Sequence, residues 1–84
     1  MTTRSEIAFW FDQGVKEKKT HLLVVCDTFD HEDYPVFAES DDDAINKYAE
    51  YNGKNMQRVM EVYDLKLSRT IQMGEFRAFH LPKP

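Results

Sequence analysis

This 84-residue chain has one cysteine, three glycines and three prolines, and its longest unbroken apolar run is five residues. Each scarcity excludes something. One cysteine cannot close an internal disulfide, so the fold must hold by packing, and nothing in the sequence points to an oxidising compartment. Few glycines and prolines leave no low-complexity linker, and no internal repeat is present. Five apolar residues are far short of a membrane span. The opening Met1-Thr2-Thr3-Arg4-Ser5-Glu6 lacks the apolar core of a signal peptide, and the expected location is therefore cytoplasmic.

What is present suits one small globular domain covering residues 1–84. A 42% hydrophobic share with 13% aromatics can build a core, and the length leaves no room for a second. The net charge of −4 is unevenly placed: +1 over residues 1–19, −7 over 20–54 and +2 over 55–84. An acidic middle repels a phosphate backbone, so direct nucleic-acid binding is disfavoured.

Periodicity supplies the elements. Thr3 and Glu6 form a capping box ahead of Ile7, Trp10, Phe11, Gly14 and Val15, which share one helical face; a helix is expected over about 4–18. Phe9 lies almost opposite that face. Residues 20–28 are aliphatic or β-branched on both alternating faces, as in a central strand covered on each side. A neighbouring strand is expected over 34–39, with Pro35 marking an edge, after a hairpin loop of six or seven residues. Ser40 caps a second helix whose first turn carries Asp41, Asp42 and Asp43, and Asn52-Gly53 ends it. Residues 57–66 are ambiguous: Met56, Val59, Met60, Tyr63 and Leu67 have helical spacing, whereas Val59, Val62, Tyr63 and Leu65 favour a strand with a bulge. A two-stranded sheet is marginal, which decides for strand. Ser68 to Met73 suits a helical turn ended at Gly74, and 76–80 an extended tail over the core. The expected fold is α+β: a small antiparallel sheet of about three strands with two main helices packed over it, in the order α-β-β-α-β.

Three constellations could carry chemistry. Asp27, Asp30, His31, Glu32 and Asp33 crowd the end of the apolar strand, and Asp27, Asp30, His31 and Asp33 offer a ligand set for a divalent ion. The segment has no glycine at an EF-hand position and no zinc-motif spacing. The competing explanation is a solvated hairpin whose Asp side chains cap its own turns. Cys26 is a weak nucleophile candidate, since the following Asp27 raises its pKa; a structural thiol fits better. Finally, Trp10, Phe11, Phe29, Tyr34, Phe37, Tyr48, Tyr51, Tyr63, Phe76 and Phe79 are many rings for a small core, and some are expected at a surface. No nucleotide-binding loop, nucleophile elbow or paired-cysteine motif occurs.

The strings Thr20-His21-Leu22-Leu23-Val24-Val25-Cys26-Asp27-Thr28-Phe29-Asp30, Glu32-Asp33-Tyr34-Pro35-Val36, Asn55-Met56-Gln57-Arg58-Val59-Met60-Glu61-Val62-Tyr63 and Arg77-Ala78-Phe79-His80 resemble a group of short uncharacterised proteins of bacteria and their phages. The resemblance implies a compact prokaryotic or phage domain and carries no catalytic residue with it.

The leading expectation is a non-enzymatic interaction or regulatory domain with no cofactor. It would present Phe9, Phe29, Asp30, Glu32, Asp33 and Tyr34 to a protein partner, as an inhibitor in one form and as a homodimer in another. The alternative is a metal-binding protein or metal-dependent hydrolase using Asp27, Asp30, His31 and Asp33, with His80 carrying a proton. A third is a small-ligand sponge between subunits, with Arg58, Arg69 and Arg77 as anion contacts.

Overall fold

Helix α1 spans Arg4–Lys16, strand β1 His21–Asp27, β2 Glu32–Ala38, helix α2 Asp41–Tyr51, strand β3 Gln57–Asp64 and the short helix α3 Arg69–Met73. This is a computed structural model describing residues 3–53, 56–75 and 78–82; Asn55, Phe76 and Arg77, on which expectations above fall, lie outside the described residues. The sheet order is β2-β1-β3, with both pairings antiparallel. The α-β-β-α-β order holds, α3 being the expected turn after Ser68.

Strand β1 is central, and its two faces seed two cores. Leu22 and Val24 meet Ile7 and Phe11 of α1, with Tyr63, Leu65 and Ala78 around them. Leu23 and Val25 meet Ala44 of α2, with Val36, Ala38, Val59 and Val62. Burial of each such aliphatic side chain contributes about 1.5–3 kcal/mol. That explains why β1 has no polar position between His21 and Cys26.

The ambiguity of β3 has a structural cause. Val24 pairs with Glu61 but Val25 pairs with Val59, so Met60 is an extra residue in the ladder. Alternation would put Val59 and Val62 on opposite faces of a regular strand. The bulge returns them to the same face, where both are buried under α2. A strand with one inserted residue therefore shows apolar residues at a spacing of three, which imitates a helix.

Local chemistry sets the boundaries. Thr3 Oγ1 accepts from the Glu6 amide (3.2 Å) at the start of α1. The helix stops at Lys16, two residues before the expected end. The Lys19 amide donates to Gly14 O (2.9 Å) and the Lys18 amide to Val15 O (3.1 Å), a Schellman closure. Its left-handed position is occupied by Lys18 (φ 61°), so no glycine announces the stop. At α2, Ser40 Oγ accepts from the Asp43 amide (3.0 Å) while Asp43 Oδ2 accepts from the Glu39 amide (3.0 Å), a reciprocal capping box. One helical expectation changes: Val15, placed on the apolar face of α1, is 49% exposed.

Both sheet edges are blunted. β2 is an edge strand carrying Pro35. On the outer side of β3, the Val62 amide donates to Ala78 O and the His80 amide to Val62 O, both at 2.9 Å, in a parallel bridge. Two residues on, Gln72 continues that bridge with its side chain: Oε1 accepts from the Asp64 amide and Nε2 donates to Asp64 O, both at 2.8 Å. One amide side chain thus stands in for a strand, which protects an edge that would otherwise invite pairing.

Candidate functional site

The segment singled out by its carboxylates is a tight hairpin. β1 ends at Asp27 and β2 begins at Glu32, so the connection is four residues, 28–31, instead of the expected six or seven. Glu32 and Asp33 belong to β2, paired with Asp27 and Cys26 respectively. The strand starts earlier than expected because its polar N-terminal residues extend the ladder beyond the core, where pairing needs no apolar side chain.

Asp27 builds the turn. Its Oδ1 accepts from the amides of Phe29 (2.9 Å) and Asp30 (3.4 Å), and its carbonyl accepts from the His31 amide (2.7 Å). His31 takes the left-handed conformation (φ 57°) that turns the chain back into β2. Thr28 ties the tip to the segment before β3: its amide and its hydroxyl both donate to Met56 O at 2.7 Å. Met56 is also left-handed (φ 61°). The loop is thus held by five hydrogen bonds while Phe29, at its tip, is 71% exposed. Met56, 58% exposed, stands at the same end of the sheet.

The remaining predicted contact residues fall elsewhere. Asp30, His31 and Glu32 are exposed at the hairpin, and Asp33 is half-buried beside Cys26. Tyr34 is part of the framework: its ring packs edge-on against Tyr51 (centroids 6.5 Å apart) and its hydroxyl accepts from Gln57 Nε2. Burial pushes its pKa up. Phe9, 66% exposed, belongs to another element; it borders an open surface depression along α1 with Asp12, Gln13, Lys16 and Glu17.

The metal and nucleophile candidates can be placed as well. Among the described residues no three His, Cys, Asp or Glu side chains converge in an arrangement that could hold a metal ion. Asp27, the carboxylate at the base of the hairpin, is engaged by the Phe29 and Asp30 amides. His80 pairs with Glu75 (2.6 Å). The Cys26 thiol is half-buried; desolvation, then the neighbouring Asp33 and Asp27 carboxylates, push its pKa up against a weaker opposing effect from Arg58. It is a thiol at neutral pH and a poor nucleophile. Of the basic residues considered as anion contacts, Arg69 is tied to Asp12 (2.6 Å), Arg58 is exposed and paired across from Cys26, and Arg77 lies outside the described residues.

Sequence reasoning missed two residues. His21 is buried beneath the start of α2, with Nδ1 2.9 Å from Thr20 Oγ1 and Nε2 4.0 Å from Asp41. Burial lowers its pKa, outweighing the Asp64 and Asp41 carboxylates that favour the charged form. Gln72 is equally buried and fully bonded, and a lone Gln in a five-residue helix carries no pattern that would reveal it. Comparison with protein-family models, with curated proteins and with solved structures finds no match.

Proposed function

We propose that this chain is a binding module that docks a basic protein surface through the β1–β2 hairpin. The observation that carries the proposal is Phe29: a large apolar ring, 71% exposed, on a loop whose backbone is already held in place. An exposed aromatic on a flexible loop would lose affinity to ordering; one on a pre-formed turn does not. Interface hot spots take this form, an aromatic anchor inside a polar rim. Here Asp30 and Glu32 supply the rim, and their charge steers association towards cationic surfaces and away from nucleic acid.

The division of labour is chemical. Phe29 supplies apolar area to a partner pocket, Asp30 and Glu32 supply on-rate and register, and Asp27 and Thr28 hold the geometry. A partner whose natural ligand is a polyanion would be inhibited by such a tip, because carboxylates then occupy positions meant for phosphates. The test is affinity capture with the tagged chain, with quantified binding of whatever is captured. Phe29→Ala is expected to weaken binding at every salt concentration by about 2 kcal/mol or more, as hot-spot truncations do. Reversal of Asp30, Glu32 and Asp33 to Lys is expected to slow association and flatten its salt dependence. Capture unchanged by both variants would sink the proposal.

A further inference from the structure

Asn52 and Gly53 follow α2 as its last capping positions, and the pair has a chemistry of its own. An asparagine followed by glycine deamidates through intramolecular attack. The glycine amide nitrogen adds to the asparagine Cγ, a C–N bond forms and ammonia leaves. Water then opens the resulting succinimide at either carbonyl, giving aspartate or isoaspartate. Glycine permits the attack because it has no Cβ to hinder the approach. The reaction needs three things: a Gly53 nitrogen free to lose its proton, a mobile side-chain amide, and a backbone torsion that brings that nitrogen over Cβ.

The fold withholds all three. The Gly53 amide donates to Gln57 O at 2.8 Å, so its proton is engaged. The Asn52 side chain is gripped at both ends: Oδ1 accepts from the Val59 amide (3.2 Å) and Nδ2 donates to the Tyr48 hydroxyl (3.1 Å). Ring closure requires the Gly53 nitrogen to eclipse Cβ about the Cα–C bond. At the observed ψ of 111° the nitrogen lies on the far side of that bond. These restraints come from α2 and β3 together, so they exist only while the α2–β3 turn is closed.

We propose that Asn52-Gly53 is a fold-gated deamidation site. The native turn suppresses succinimide formation, and local opening of the turn permits it. Conversion then removes the amide that donates to Tyr48, and the isoaspartate product also inserts an extra backbone carbon where Asn52 joins α2 to β3. Each opening event thus carries a chance of an irreversible mark that hinders reclosure. The population of open molecules sets the rate, as it does for hydrogen exchange and proteolysis.

The test is timed incubation of the full chain at mildly alkaline pH, with peptide mapping by mass spectrometry, natively and in urea. Deamidation at Asn52 is expected to be at least about tenfold slower in the native protein, a local opening free energy of 1.4 kcal/mol or more. Tyr48→Phe removes one grip without removing the ring. It is expected to accelerate native deamidation severalfold while leaving the rate in urea unchanged, with thermal unfolding followed alongside to confirm that the variant folds. Equal native and unfolded rates in the wild-type chain would overturn the proposal. A Tyr48→Phe variant that folds and deamidates at the wild-type rate would overturn the gripping mechanism.

Discussion

Replacing Gln72 by Leu keeps the volume of the side chain and removes its hydrogen bonding, which isolates the edge-capping role. Gln72 is 1% exposed and makes three bonds: Oε1 accepts from the Asp64 amide (2.8 Å), and Nε2 donates to Asp64 O (2.8 Å) and Ser68 O (3.2 Å). The Leu variant leaves the Asp64 N–H without its partner, while Asp64 O keeps the Leu67 amide (3.1 Å) and Ser68 O keeps the amide of residue 72 (3.2 Å). A buried group stripped of its partner costs about 1–3 kcal/mol. With one group stripped and both carbonyls still bonded, a loss of about 1–3 kcal/mol is expected, a large share of a small domain's stability. Urea unfolding at constant m gives the difference from the midpoints. Gln72→Glu adds a pH signature. A carboxylate at this position faces two carbonyl oxygens, so its folded-state pKa is raised above the ordinary value near 4.3. The protonated carboxyl, by contrast, offers one acceptor and one donor as the amide does. Stability is therefore present in full below the unfolded pKa and is lost as pH rises through the folded one. The Leu variant should also self-associate, because the Asp64 end of β3 becomes an open edge. A Leu variant within about 0.5 kcal/mol of wild type, the range of an ordinary surface change, would refute the reasoning.

Three further outcomes follow from the packing. A Cβ at Gly14 would sit 2.7 Å from Leu65 Cδ1 and 2.8 Å from Phe37 Cε1. Gly14→Ala should therefore lose about 1–3 kcal/mol to overpacking against a helix-propensity gain of about 1, and a more stable variant by denaturant titration would contradict the close approach of α1. Lys18 occupies a left-handed position (φ 61°), so Lys18→Gly should stabilise by up to about 1 kcal/mol; a lower thermal midpoint would mean that its side chain matters more than its backbone. For His21 burial lowers the folded-state pKa. The unfolded chain then takes up the proton first, and stability falls as pH drops below about 6.5, by at most about 1.4 kcal/mol per pH unit for one proton. Midpoints for wild type and His21→Gln, compared between pH 7.5 and 5.5, should show the smaller change in the variant; equal changes would remove His21 from the account.

Much of the fold was legible in the residues because short-range chemistry controls it. Ser40 with three following aspartates announces α2, Thr3 and Glu6 announce α1, and a strand without polar positions can only be central. Pro35 assigns β2 to an edge. These signals act within one or two turns of the chain and need no partner to be read. Phe9 and Phe29 were likewise readable as exposed, the first from its helical angle and the second from its place in a turn.

Tertiary structure decided the rest, wherever a residue's role depends on what lies opposite it. The spacing in β3 admitted either a helix or a bulged strand, and the choice was made by β1 and α2: with Met60 inserted, Val59 and Val62 both reach the core under α2. Tyr34 reads as a contact residue by composition, but Tyr51 and Gln57 hold it within the framework. The carboxylates around Asp27 read as a ligand set in one dimension, yet the hairpin turns Asp27 onto its own amides and puts Asp33 on a strand. Gln72 acquires its function only when α3 carries it to the open edge of β3. Composition and local spacing determined which elements form; the long-range pairing that brings Gln72 to Asp64 and Asn52 to Val59 determined what those elements hold in place, because hydrogen-bond partners are assigned by distance in space and not along the chain.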